Sequence, residues 1–276
     1  MLDYFDAVVL GIVEGLTEFL PISSTGHLTI FEKLLGLPID SDEITAFTAV
    51  IQVGAILAVL VYFRSDIGRI VRAWVLGLFK PEHRGSFDYR FGWYVIAGSV
   101  PIVVIALLAE PLITGPLRNL WWVAGGLIVW SGVLVLAEHV ATQKRGEQDM
   151  RLRDTVLIGL AQCIALIPGV SRSGATISAG LMLGLDRVTA TRMSFFLSIP
   201  ALVGAGIYEL PDAIGGGIGV GQTLVATVVS FIVAYAAVAW LLKFVAGHSL
   251  MLFVWYRVAL GSLLVILLAT GVMTPT

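Results

Sequence analysis

Six continuous apolar stretches, each long enough to cross a bilayer as a helix, constrain this chain more than any other feature. They cover residues 44–63, 91–108, 121–137, 193–210, 223–244 and 251–269. A helix rises about 1.5 Å per residue, so roughly 20 residues cross the ~30 Å hydrocarbon core of a bilayer. The composition agrees, with 58% hydrophobic and 13% charged residues, against about 25% charged in soluble domains. The expected fold class is an all-α integral membrane protein. A single cysteine, Cys163, excludes an intrachain disulfide framework and is read as a packing residue. The first Lys or Arg is Lys33, so a basic leader region is not expected. Nothing in the charge pattern marks a nucleic-acid surface, and the His/Cys spacings of zinc sites are absent.

Two further apolar segments are interrupted by polar residues. Residues 14–27 read EGLTEFLPISSTGH, with two carboxylates, two serines, two threonines and a histidine. Glu14 and Glu18 are four apart and share one helix face. Pro21 removes a backbone donor and ends that helix. Ser23, Ser24 and Thr25 are the residue types that cap a new helix, and its free N–H groups suit an anion. Residues 162–176 read QCIALIPGVSRSGAT and repeat the pattern, with Pro168-Gly169 as the break. Sliding the chain along itself by about 148 positions exposes an internal repeat. One offset pairs Gly11 with Gly159, Ser23 with Ser171, Gly26 with Gly174, Phe47 with Phe195 and Ile51 with Ile199.

The expected organisation follows. Residues 1–138 form a first repeat, with a re-entrant hairpin at 2–35 and spans at 44–63, 91–108 and 121–137. Residues 139–154 are a polar cytoplasmic linker. Residues 155–276 form a second repeat, with a hairpin at 155–185 and spans at 193–210, 223–244 and 251–269. The return limb of the first hairpin, roughly 18 Å long, is too short to span. Three spans per half is odd, so the halves enter from opposite sides as an inverted repeat, and the hairpins meet near the midplane. Arg64, Arg69, Arg72, Lys80, Arg84 and Arg90 lie in one loop, and Lys144, Arg145, Arg151, Arg153, Arg187, Arg192 and Lys243 share its side. Lys33 and Arg118 lie opposite with Asp40, Asp42, Glu43, Glu110, Glu209 and Asp212. The positive-inside rule puts the basic set in the cytoplasm and both termini outside. Ile67, Ile70, Val71 and Trp74 suggest an interfacial helix. Trp93, Tyr94, Trp121 and Trp122 suggest aromatic belts, and Gly215, Gly216 and Gly217 a flexible turn.

Arg172 falls in a turn at membrane depth, where a charge is costly and marks a functional site. Its guanidinium fork suits phosphate oxygens, beside the hydroxyls of Ser171, Ser173 and Thr176. A structural ion pair with Glu14 or Glu18 is the plainer reading of the same residue. Arg257 lies deep in the last span and is a second candidate for substrate binding, with snorkelling to the interface as its plainer reading. Glu14 and Glu18 are candidate ligands for a divalent cation, Mg²⁺ or Ca²⁺, or one is a general base. His27 is within reach of a hydroxyl of its own turn. Gln52, mid-span, is expected in an interhelical hydrogen bond.

EGLTEFLPISSTGH and PGVSRSGAT, with Tyr256-Arg257, resemble the signatures of bacterial undecaprenyl pyrophosphate phosphatases of the bacitracin-resistance type, over nearly the whole chain. The resemblance implies removal of the terminal phosphate from undecaprenyl pyrophosphate at the outer face of the plasma membrane, which recycles the carrier for cell-wall synthesis. It places Glu14, Glu18, Ser24, His27, Arg172 and Thr176 in the site. Ser24 with His27 as base, His27 itself, or a water activated by Glu18 all remain open as the nucleophile, and Ser24 is preferred. The expected partners are the polyprenyl pyrophosphate lipid and the membrane, with no nucleic acid. The sequence permits a homodimer. A transporter of polyprenyl phosphate without hydrolysis is the alternative, since broken helices at the midplane also build transporters. The Ser24, His27 and Glu18 grouping favours the enzyme. No repeated ring of pore charges suggests a channel.

Overall fold

The computed structural model describes residues 2–38, 41–113, 117, 119–215 and 219–275. Asp40, Arg118, Gly216 and Gly217 lie outside the described residues, as do the side chains of Asp42, Glu110, Glu209 and Asp212. The described chain is helical, with one isolated bridge between Arg145 and Leu185. In order the helices are α1 (Tyr4–Thr17), α2 (Ser24–Leu34), α3 (Asp42–Tyr62), α4 (Arg64–Phe79), α5 (Phe87–Ile113), α6 (Leu120–Val140), α7 (Leu152–Gln162), α8 (Arg172–Met182), α9 (Arg187–Gly215), α10 (Val220–Gly247) and α11 (Met251–Ala269).

Six segments are long and apolar enough to cross a membrane: Glu43–Tyr62, Phe87–Ala109, Leu120–Val140, Arg187–Gly206, Val220–Gly247 and Met251–Ala269. They match the six apolar stretches of the sequence. Two of them, at Phe87 and Arg187, begin a turn or more earlier than hydropathy suggests. Their first turns carry charges that hydropathy excludes but a helix tolerates at its polar end. Tyr94 departs from the belt expectation: it is buried, while Trp93, Trp121 and Trp122 are each at least 40% exposed.

The helix ends sort into two groups. At one end Arg192 bridges Asp66 of α4 and Glu147 of the linker at 3.2 and 2.9 Å. Arg187 at the start of α9 pairs with Glu138 near the end of α6 at 2.5 Å, and Glu138 also accepts from Leu250 N before α11. Arg69 of α4 pairs with Asp88 of α5. At the other end the Lys33 ammonium of α2 bonds Thr274, and Leu120 N of α6 bonds Pro275 O. A Cβ placed on Gly221 of α10 would strike the Tyr4 hydroxyl, so the start of α1 joins that second group. The linker and the two chain ends therefore lie at opposite ends of α6 and α10.

The helices cross closely where small residues meet. A Cβ on Gly11 of α1 would lie 2.6 Å from Ala226 O of α10, and one on Gly159 of α7 would collide with Gly98 O of α5. Gly11 and Gly159 are a pair related by the internal repeat. The same offset relates the first residue of α1, Tyr4, to that of α7, Leu152, and Ser24 of α2 to Arg172 of α8. Small residues at crossings let backbones approach in an apolar medium, where packing rather than water exclusion drives association.

Candidate active site

The break after α1 is built by sequence-local chemistry. The helix ends at Thr17, and the chain turns through Pro21 before Ser23 caps α2. Ser23 has φ 75° and its hydroxyl accepts from Gly26 N at 3.4 Å. The break before α8 is its counterpart: Ser171 has φ 76° and accepts from Gly174 N at 3.1 Å. A left-handed serine costs of order 1–3 kcal/mol and persists where its surroundings hold it. The first residues of the two helices, Ser24 and Arg172, occupy equivalent positions.

Both of these side chains turn onto one carboxylate. Ser24 Oγ donates to Glu18 Oε2 at 2.5 Å, and Arg172 Nη2 donates to Glu18 Oε1 at 3.0 Å. Arg172 Nη1 reaches Ser198 O at 3.4 Å, and its Cζ sits 6.0 Å from the Phe19 ring centroid. Arg172 Nε is buried with no partner among the described residues. These groups line a cavity of about 140 Å³ with Ser23, Thr25, Gln52, Pro168, Ser171 and Leu202. Pockets that enclose a drug-sized molecule run from about 300 Å³, so this one takes a small polar group rather than a lipid tail.

Glu14 lies one helical turn below Glu18 and is 1% exposed. Its Oε1 is buried without a hydrogen-bond partner, the condition of an oxygen suited to a cation. Among the described residues no three His, Cys, Asp or Glu side chains form a metal cage. Glu14 Oε1 is the unpartnered oxygen of the pair, and a cation there would share Glu18 with Ser24 and Arg172, within the limited protein share that Mg²⁺ takes when phosphate and water complete its shell.

The geometry rearranges several expected pairings. His27 does not reach Ser24: its Nδ1 lies 2.7 Å from Ser23 O and its Nε2 2.6 Å from the Tyr256 hydroxyl, with the two rings stacked. The proton acceptor facing Ser24 is Glu18. Arg257 is fully buried and does not line the cavity at Glu18. Its guanidinium donates to Pro21 O at 3.0 Å, Gly169 O at 2.9 Å, Gly126 O at 3.1 Å and Ser131 Oγ at 3.3 Å. It thus ties together the two proline-broken turns. Ser173 does the same, giving its hydroxyl to Leu20 O at 2.9 Å. Thr176 is buried against Ser194 Oγ at 2.7 Å. Of the substrate-binding candidates, Arg172 and Ser171 border the cavity and Ser173, Thr176 and Arg257 stand behind it. Gln52, expected between helices, borders the cavity instead. Tyr256 was part of the motif but had no role from sequence. A tyrosine beside a buried arginine in a span was the available signal.

A family model described as "Bacitracin resistance protein BacA" matches residues 7–263. The chain is 57% identical to "Undecaprenyl-diphosphatase 3" of Frankia casuarinae, over the whole of both chains. It is 60% identical to "Undecaprenyl-diphosphatase 1" of Streptomyces coelicolor, over 97% of this chain and 96% of the relative. It is 51% identical to "Undecaprenyl-diphosphatase" of Mycolicibacterium smegmatis, over 99% of each.

Proposed function

The chain belongs to the family of bacitracin resistance proteins, and from that premise we propose that it hydrolyses undecaprenyl pyrophosphate to undecaprenyl phosphate and inorganic phosphate. The observation that carries the proposal is the convergence of Ser24 and Arg172 on Glu18 in one cavity. Ser24 Oγ attacks the terminal phosphorus and gives its proton to Glu18 Oε2. The bond from that phosphorus to the bridging oxygen breaks, and undecaprenyl phosphate leaves with the electron pair. Arg172 holds the non-bridging oxygens, using the donors that Glu18 does not occupy, and neutralises charge as it develops. Glu18 passes its proton to the departing undecaprenyl phosphate. The carboxylate so restored takes a proton from water, which attacks the phosphoserine, and returns it to Ser24 Oγ as the bond from phosphorus to serine breaks and phosphate is released.

Glu14 and Glu18 would hold a divalent cation, which when bound offsets the charge of the pyrophosphate. His27 and Tyr256 brace the turn that presents Ser24. In the membrane, residues 2–35 and 155–185 are re-entrant hairpins of an inverted repeat. The twin left-handed serines, the offset shared by the helix starts and the two groups of helix ends support that reading. The protein sits in the bacterial plasma membrane with its linker in the cytoplasm, both termini outside and its cavity open to the outer face. The positive-inside rule supports this orientation.

A carrier that moved a polyprenyl phosphate unchanged has no use for a hydroxyl aligned on a carboxylate. Purified protein in detergent, where transport has no meaning, separates the two. Phosphate release from a polyprenyl pyrophosphate is expected; binding of the lipid with no release would leave transport as the function.

A further inference from the structure

A second, larger cavity of about 470 Å³ lies at the linker end of the helices. Arg90 and Tyr94 of α5 form one wall, and Lys144, Arg145, Asp149 and Arg151 of the linker form the other. None of these residues borders the cavity at Glu18. Arg145 is committed to the fold: it pairs with the buried Asp154 and donates to Leu183 O and Asp149 O at 2.9 and 2.8 Å. Its backbone bonds Gly184 O and Asp186 N, which pins the linker to the turn before α9. Asp149 Oδ2 accepts from Gly146 N at 3.0 Å. The side chains of Arg90, Lys144 and Arg151 have no carboxylate partner among the described residues. Three uncommitted cations thus face one carboxylate in a preformed recess.

We propose that this cavity binds the phosphate headgroup of an anionic phospholipid. Two guanidinium forks and an ammonium match phosphate oxygens. The lipid source is favoured over a soluble phosphate by exposed apolar side chains next in sequence to the lining residues. Leu152, next to Arg151, is 49% exposed, and Trp93, next to Tyr94, is 40% exposed. Leu152 is the first residue of α7, and the Trp93 ring packs against Trp74 of α4, the helix whose mix of charged and apolar residues suits an interface. The site is independent of the hydrolytic reaction and serves to anchor the linker end to its leaflet.

Binding of short-chain phosphatidylglycerol to the purified protein, by native mass spectrometry and thermal unfolding, tests this. Wild type is expected to bind it in preference to short-chain phosphatidylcholine. Arg90→Gln and Arg151→Gln should each weaken binding about fivefold, the weight of one cation near an anionic lipid surface. Arg172→Ala should leave it unchanged. Unaltered binding in the Arg90→Gln/Arg151→Gln protein, or equal binding of phosphatidylcholine, overturns the proposal. So does displacement by inorganic phosphate at equal affinity, which would make the ligand a soluble anion. Loss of binding in Arg172→Ala would also overturn it, by assigning the lipid to the hydrolytic cavity.

Discussion

Glu18 divides its two oxygens between a hydroxyl from one turn and a guanidinium from the other, so its loss should disable both. Glu18→Gln keeps the shape but gives up the proton acceptor for Ser24, and turnover should fall at least about a hundredfold. Arg172 distinguishes fork from charge. If its remaining donors grip the phosphoryl group, Arg172→Lys keeps the charge and loses the bidentate geometry. A transition-state contact of that kind is worth about 3 kcal/mol, or roughly a hundredfold in rate. Lysine should therefore fail almost as badly as alanine while thermal unfolding stays near wild type. Near-normal turnover in Arg172→Lys would make Arg172 only the ion-pair partner of Glu18. Residue identities at this scale were legible from sequence: the hydroxyl, carboxylate and guanidinium types stand out against apolar neighbours. Their pairing was not. His27 is closer to Ser24 in sequence than Glu18 is, yet the turn at Pro21 brings Glu18 to Ser24 and points His27 at Tyr256.

At the scale of elements, the two broken helices are held by groups that do not touch the cavity. Arg257 fills the space between the turns with donors to Pro21 O and Gly169 O. Arg257→Met removes those bonds and strands buried carbonyls, each of which costs about 1–3 kcal/mol. Thermal stability and turnover should drop together. Loss of turnover with unchanged unfolding would restore Arg257 to the substrate. Gly159 tests the crossing of α7 and α5. A methyl there meets a carbonyl rather than a yielding side chain, so Gly159→Ala should destabilise by about 1–3 kcal/mol. The six long helices were legible because lipid solvent demands continuous apolar runs. The left-handed serines were legible only in part, because cap residues reveal a helix start but not its backbone angle. The task of Arg257 was hidden, because a buried arginine looks alike in sequence whether it binds a ligand or a carbonyl.

For the whole molecule, the polar groups at the two ends set the expected topology. Cysteines placed in the linker and at the termini, with Cys163 replaced, should be labelled from opposite sides of intact cells. Labelling from one side would remove the inverted repeat. Chelation should abolish turnover if Glu14 and Glu18 hold a cation, and full activity in excess chelator would leave them as acid–base groups. The central claim is that two distant parts of the chain, one from each half, complete one phosphoryl-transfer site. A double-mutant cycle between Ser24 and Arg172 measures this directly, with turnover of a polyprenyl pyrophosphate as the readout and thermal unfolding as the control for folding. Ser24→Ala and Arg172→Ala should each lose about a hundredfold or more, and the double variant should lose far less than the product. Groups that act as a unit through a shared partner are non-additive in this way. Fully multiplicative losses, or a Ser24→Ala protein within a few-fold of wild type, would contradict it.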